Sequence, residues 1–256
     1  MAEIELERKG NIAHIIFNRP SQRNAMNQAM WRALPGLVDA VEKDDAISVL
    51  IVRGVDASAF GAGADIGEFA EIYVTPASAL AANEAVQTAQ RRLHTLTKPA
   101  IAMIQGPCIG GACGLALACD IRFSDPSGRF GITPGRLGIA YSIADTRRLV
   151  SAIGFSRARD MLYSGRILAA EEALAVGLID RLVPADRLEA ETIAYAGAIA
   201  GNSRLAVEAM KRIIARIEAG AGDDDPEAGR LFRDSFQSAD FTEGVSAFLA
   251  KRKPSF

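Results

Sequence analysis

The chain has 256 residues, 49% of them hydrophobic and 23% charged, with a formal net charge of −2. That fits one large globular domain, or one with a small appendage. The balance of charge gives no reason to expect nucleic acid as a partner, and no apolar run is long enough to span a membrane. Cys108, Cys113 and Cys119 lack a zinc spacing and read as reduced thiols of a cytoplasmic protein. The acidic N-terminus has no apolar core of the kind a signal peptide needs.

In chain order, Ile4 to Arg8 and Ile12 to Phe17 alternate apolar and polar residues around Lys9-Gly10-Asn11, the pattern of a β-hairpin. The polar loop Ser21 to Asn27 follows, with Asn27 placed to cap a helix over about 28–43. Val49 to Gly54 reads as a strand. Residues 67–96 read as mostly helical, interrupted at Thr75-Pro76. A strand is expected at 98–104, a buried helix after the glycines at 110 and 111, and a further strand from Asp120 to Ser124. Two helices are predicted over 146–153 and 155–164, and another from Ala169 to Gly177 that enters a short strand. From Asp186 onward the chain reads as helix, over about 188–200, 203–219, 226–235 and 242–251. Strand–helix alternation followed by helices alone predicts an α/β core over 1–184 and a helical region over 185–256.

Two stretches share one design. Val49–Gly54 runs into Ala59-Phe60-Gly61-Ala62-Gly63-Ala64-Asp65-Ile66. The strand ending at Ile104 runs into Gln105-Gly106-Pro107-Cys108-Ile109-Gly110-Gly111. In each, a strand meets a turn of small residues that lets a ligand approach the backbone closely. The second turn also opens a helix, whose first N–H groups are free and lie at the positive end of the dipole. Two such donors aimed at one carbonyl oxygen form an oxyanion hole.

These stretches resemble the enoyl-CoA hydratase/isomerase (crotonase) superfamily. So do Asn18-Arg19-Pro20 with Asn24-Ala25-Met26-Asn27, Glu171-Glu172-Ala173-Leu174-Ala175 with Gly177-Leu178-Ile179-Asp180, and the tail from Ser238 to Lys253. The resemblance covers nearly the whole chain. It implies a crotonase-like ββα spiral core with a C-terminal helical trimerisation region, and an enzyme acting on acyl-CoA thioesters. Coenzyme A would then enter as part of the substrate, with no permanently bound cofactor. The oxyanion amides would be those of Ala64 and Gly111. Coenzyme A contacts would fall on Ser21, Gln22, Arg23, Ala62, Asp65 and Ile66, and on Phe232 and Lys251 of a neighbour in a homotrimer or homohexamer.

One departure is clear. Hydratases of that family use two glutamates, and the matching positions here are Gly114 and Pro134. Neither side chain can move a proton, and residues 132–137 contain no acid. Other members place the reactive group on the turn before the next helix, which here offers Tyr141, Ser142 and Asp145. Tyr141 and Asp145 are therefore the candidate proton-moving groups, although Asp145 also sits where a helix-capping or first-turn acid belongs. Isomerisation, thioester hydrolysis or decarboxylation is expected in place of hydration. The alternative is a homologue that binds CoA thioesters without turnover. Glu68, near the first turn, is a candidate for facing substrate, with a solvated helix position as the plainer expectation. His14 and His94 neighbour neither glycine turn and are expected to be structural or exposed. A nicotinamide-binding reading of Gly106, Gly110 and Gly111 fails because the first strand is not followed by G-x-G-x-x-G. Without paired histidines or clustered carboxylates, no metal site is expected.

Overall fold

The computed structural model describes residues 2–256. Strands β1 (Ile4–Lys9) and β2 (Ile12–Phe17) form the expected antiparallel hairpin. Helix α1 (Gln28–Lys43) starts at Asn27, whose side chain accepts the Met30 N–H, and buries Met30, Trp31, Leu34, Val38 and Val41. Lys98 closes its far end: Nζ donates to the carbonyls of Val41 (2.7 Å) and Asp44 (2.6 Å), a cation set against the negative end of the dipole. Next come β3 (Val49–Gly54), the short α2 (Phe69–Ile72) and α3 (Pro76–His94). Thr75 and Ser78 bond reciprocally to start α3.

The middle of the chain contains β4 (Ala100–Ile104), β5 (Pro107–Ile109), α4 (Gly111–Ala118), β6 (Ile121–Ser124) and β7 (Arg129–Gly131). It continues through α5 (Ile143–Ser164), β8 (Ile167–Ala169), α6 (Ala170–Val176) and β9 (Arg181–Leu182). The rest is helical: α7 (Leu188–Ala200), α8 (Arg204–Glu218), α9 (Pro226–Ser235) and α10 (Ala239–Leu249).

The main sheet has the order β1-β2-β3-β4-β6-β9, parallel from β2 onward. Its pleat sorts side chains between two cores. Ala13, Ile15, Phe17, Leu50, Val52, Ala100, Ala102 and Ile104 face α1, α3 and α4. Ile12, Val49, Ile51, Ile101 and Met103 face the other way, against Leu188 and Ala196 of α7. Both faces are covered, as a parallel sheet requires. The C-terminal ends of β3 and β4 release the chain into the two glycine turns, at the end of a parallel sheet where ligand sites form.

The structure departs from the sequence expectations in three places. A second sheet, β5-β7-β8, has no counterpart among them, and its last strand occupies Ala169, where the sequence predicts the start of a helix. The break expected between two helices is present inside α5 at Gly154 (φ 75°, ψ 164°), but the first of them starts at Ile143 rather than Thr146, because Ser142 supplies the cap three residues earlier. Likewise Ser238 caps α10, which starts at Ala239 rather than Thr242.

Candidate active site

The two glycine turns are laced together by backbone bonds. Gly61 N donates to Pro107 O and Ile109 N to Gly61 O, each at 2.9 Å. A β-carbon on Gly61 would stand 2.7 Å from that of Ala112, so the turns touch with no room between them. Gly63 has φ +95°, a conformation strained for any residue with a side chain, and a β-carbon there would lie 3.6 Å from Gly111 N. A β-carbon on Gly111 would in turn lie 4.0 Å from Ala64 N. The peptide nitrogens of Ala64 and Gly111 are therefore close neighbours. Among the described residues, neither N–H donates to a protein acceptor.

Each nitrogen has its own support. Ala64 is held by the loop after β2: Ala62 N donates to Arg23 O (2.9 Å), Met26 N to Gly63 O (2.7 Å) and Asp65 N to Met26 O (2.9 Å). Arg19 locks that pairing, giving one guanidinium nitrogen to both Ala25 O (2.7 Å) and the Asp65 carboxylate (2.9 Å). Gly111 is the first residue of α4, after Gly110 at φ 57°. Trp31 packs beneath it, its ring 3.0 Å from where a β-carbon would stand. The rest of α4 is buried and apolar, so its N-terminal partial charge acts where water screens little.

One turn further along α4, on the same face, is Gly114. Three side chains meet at the hollow it leaves. Tyr141 Oη and Asp145 Oδ1 each lie 3.0 Å from the place of a β-carbon on Gly114, and Gln90 Nε2 lies closer still, inside contact distance. Asp145 is 4% exposed. Its carboxylate accepts from Arg148 (2.7 Å) and from the Ser142 hydroxyl (2.6 Å), while its own N–H donates to Ser142 Oγ (3.1 Å). Ser142, not Asp145, caps α5. Gln90 Oε1 accepts from Arg148 (3.2 Å) and Nε2 donates to Gly111 O (3.3 Å). The Tyr141 hydroxyl is buried and has no partner among the described residues. Burial, then the negative charge of Asp145, push its pKa well above the ordinary tyrosine value, so the group is a donor.

Sequence reasoning missed Gln90 and Arg148. A signal for Gln90 exists: it interrupts the apolar stripe Val86, Leu93 of an alanine-rich helix, a place where a polar residue needs partners. Glu68 does not face the hollow; its carboxylate accepts the Gln28 N–H at 2.8 Å, at the start of α1.

The expected coenzyme A positions fall in two groups. Ser21, Gln22 and Arg23 form an exposed turn joined through Arg23 O to Ala62, and Ile66 is also exposed. The Asp65 carboxylate is occupied by Arg19 and by the Gly67 N–H. Phe232, edge-on to Phe236, and Lys251, just after α10, are exposed in the C-terminal region. A cavity of about 680 Å³ also lies there, lined by Asp45, Arg204, Glu208, Arg230 and Asp234. Its arginines are paired with acids, and none of its lining residues belongs to the glycine turns. His14 is buried in β2, and His94 is part-exposed, with Glu218 at 3.9 Å. Among the described residues no cluster of three potential metal ligands occurs, and no helix is long and apolar enough to cross a membrane.

Comparison with known proteins agrees with this architecture. Residues 7–256 match the enoyl-CoA hydratase/isomerase family. The chain is 33% identical to the 2,3-dehydroadipyl-CoA hydratase of Escherichia coli (strain K12), over 100% of this chain and 99% of that protein. It is also 33% identical to the crotonyl-CoA hydratase of Syntrophomonas wolfei, over 99% and 97%. Among solved structures, an enoyl-CoA hydratase/carnithine racemase from Magnetospirillum magneticum aligns with a TM-score of 0.96 at 36% identity, covering 100% of this chain and 96% of that one. The fold is the crotonase fold, and the chain belongs to the enoyl-CoA hydratase/isomerase family.

Proposed function

We propose that this protein binds an acyl-CoA with its thioester oxygen on the Ala64 and Gly111 amides, and moves protons at the acyl carbons without adding water. Two amides on one oxygen stabilise the enolate by roughly 3 kcal/mol each. Asp145 is the group that can take the α-proton, leaving an enolate on the two amides. Tyr141, protonated and unpartnered, gives a proton back. Delivered to the γ-carbon of a 3-enoyl thioester's dienolate it shifts the double bond; delivered to the α-carbon it completes exchange, or protonates the enolate left when an acyl carboxylate departs as CO2. The observation that carries this reading is the neighbourhood of Ala64 N, Gly111 N and the free Tyr141 hydroxyl.

The relatives' names point to hydration. The absence of an acid side chain at Gly114 and Pro134 speaks against extending that reaction to this chain. The proposal is tested with a panel of acyl-CoAs in D2O. Deuterium entering at the α-carbon, or a 3-enoyl-CoA converted to its conjugated isomer, supports it. Tight binding of every thioester with no exchange and no turnover would favour a non-catalytic CoA-thioester binder.

The same reading places coenzyme A along Ser21–Arg23 and Ala62–Ile66, with Phe232 and Lys251 contributed by another protomer of a trimer or hexamer. Exposed Phe232 (61%), Phe248 (83%) and Leu249 (75%) in the last helices support self-association. Light scattering of the purified protein tests it; a monomer at micromolar concentration speaks against it.

A further inference from the structure

The floor beside the oxyanion amides is closed by a side chain from a different element. Gly114 sits one helical turn beyond Gly111, on the face of α4 that carries the Gly111 carbonyl and faces Tyr141 and Asp145. With no side chain there, α4 leaves a hollow about the size of a small polar group. Gln90, from α3, fills it. The residue is 1% exposed, and its amide is tethered at both ends, to Gly111 O at 3.3 Å and to Arg148 at 3.2 Å. A buried amide with a partner for each end holds one position. Asp145 cannot swing in to replace it, because Arg148 and Ser142 hold both carboxylate oxygens.

We infer that Gln90 is a specificity-determining plug that keeps water out of the hollow between Gly114, Tyr141 and Asp145, and so keeps this site from hydrating its substrate. The inference rests on the proposed function above and adds the residue that sets its reaction. Water addition to a 2-enoyl thioester puts the water hydroxyl on the β-carbon and a proton on the α-carbon. That needs a water molecule beside a base, and the one carboxylate at the hollow, Asp145, has the Gln90 amide where such a water would stand. α-Proton exchange needs no bound water at that point. Asp145 takes the α-proton, Tyr141 returns one of its own, and the proton on Asp145 passes to the tyrosinate across the hollow they share; both groups exchange with solvent only between turnovers, once the thioester has left.

The test compares two reactions of the full-length protein: hydration of crotonyl-CoA, and α-deuterium exchange of butyryl-CoA in D2O. Gln90→Ala opens the hollow and is expected to raise hydration relative to exchange about tenfold or more, as Asp145 gains a water to activate. Gln90→Leu keeps the volume without the hydrogen bonds, and its ratio is expected to stay at the wild-type value. Gln90→Asn, shorter by one methylene, is expected to fall between them and serves if the alanine variant does not fold. An unchanged ratio in a folded Gln90→Ala or Gln90→Asn protein, or a leucine variant that hydrates like the alanine one, would overturn the plug while leaving the proposed function intact. A wild type that neither exchanges nor isomerises any acyl-CoA would remove the proposed function itself.

Discussion

The hydroxyl of Tyr141 ends 3.0 Å from where a β-carbon on Gly114 would stand, and it has no hydrogen-bond partner among the described residues. A buried polar group left unpaired costs about 1–3 kcal/mol. A group kept only for packing would have no reason to carry that cost. Replacing Tyr141 by Phe is therefore expected to leave the thermal midpoint unchanged or higher, while turnover falls about 100-fold or more. Thermal unfolding and steady-state kinetics on the same preparation check this. A variant that is less stable yet fully active would reverse the assignment.

The protonation of Tyr141 sets an alkaline limit. Its pKa is raised first by burial and then by Asp145, from an ordinary value of 10.0. The donor form is thus fully present through neutral pH and is lost only above pH 10. Removing the charge of Asp145 with Asp145→Asn takes away part of that rise, so the alkaline limb should move to lower pH. Asp145→Asn also removes the proposed base, so the shift is read without turnover, from the tyrosinate absorbance of each protein titrated against its Tyr141→Phe counterpart.

Arg148 and Asp145 form a buried pair, their side chains 10% and 6% exposed, at 2.7 Å. Removing one partner of such a pair costs about 3–5 kcal/mol, whereas removing both charges costs much less. Arg148→Met is expected to destabilise by that amount, and the double variant with Asp145→Asn to recover more than half of it. Urea denaturation midpoints test the cycle. Additive losses would show that the two side chains do not act as a pair.

His14 is 2% exposed in β2, and neither of its ring nitrogens has a partner among the described residues. Burial, then Arg53 and Lys9, lower its pKa below 6.5, with Glu7 and Glu189 opposing. The neutral ring is the folded form. Its contribution is fully present above pH 6.5 and is lost as pH falls from there toward the lowered folded value, with a slope of up to about 1.4 kcal/mol for each tenfold rise in proton concentration. His14→Leu should flatten stability against pH in that window relative to wild type. An unchanged slope would assign the acid sensitivity to His94, whose pKa is also lowered by burial.

Much of the fold was legible because its signals are local. Asn27 before an amphipathic run marks α1, and strands that end in small-residue turns mark both halves of the candidate site. The small sheet β5-β7-β8 was not legible, because three-residue strands carry too little alternation to stand out from a loop. The partners of Asp145 lie along its own helix, Ser142 as the cap and Arg148 three residues on, and both can be read from spacing. Gln90 was hidden for another reason: it reaches Arg148 from α3, and only packing joins the two. Glu68 shows the converse: an acid near the right turn in sequence is spent on the start of α1.

In the proposed site the Ala64 and Gly111 amides share one substrate oxygen, and the stretching frequency of an isotope-labelled thioester carbonyl, recorded by difference infrared spectroscopy on a bound acyl-CoA, reports on that sharing. Two donors on the oxygen should give a marked shift to lower frequency in the wild type. In Gly111→Ala, whose new methyl group meets Trp31 at 3.0 Å and displaces the amide, most of that shift should disappear and turnover should fall about 100-fold. A bound carbonyl that vibrates as it does in water, or one that Gly111→Ala leaves unmoved, would rule out an oxyanion hole formed by these two amides.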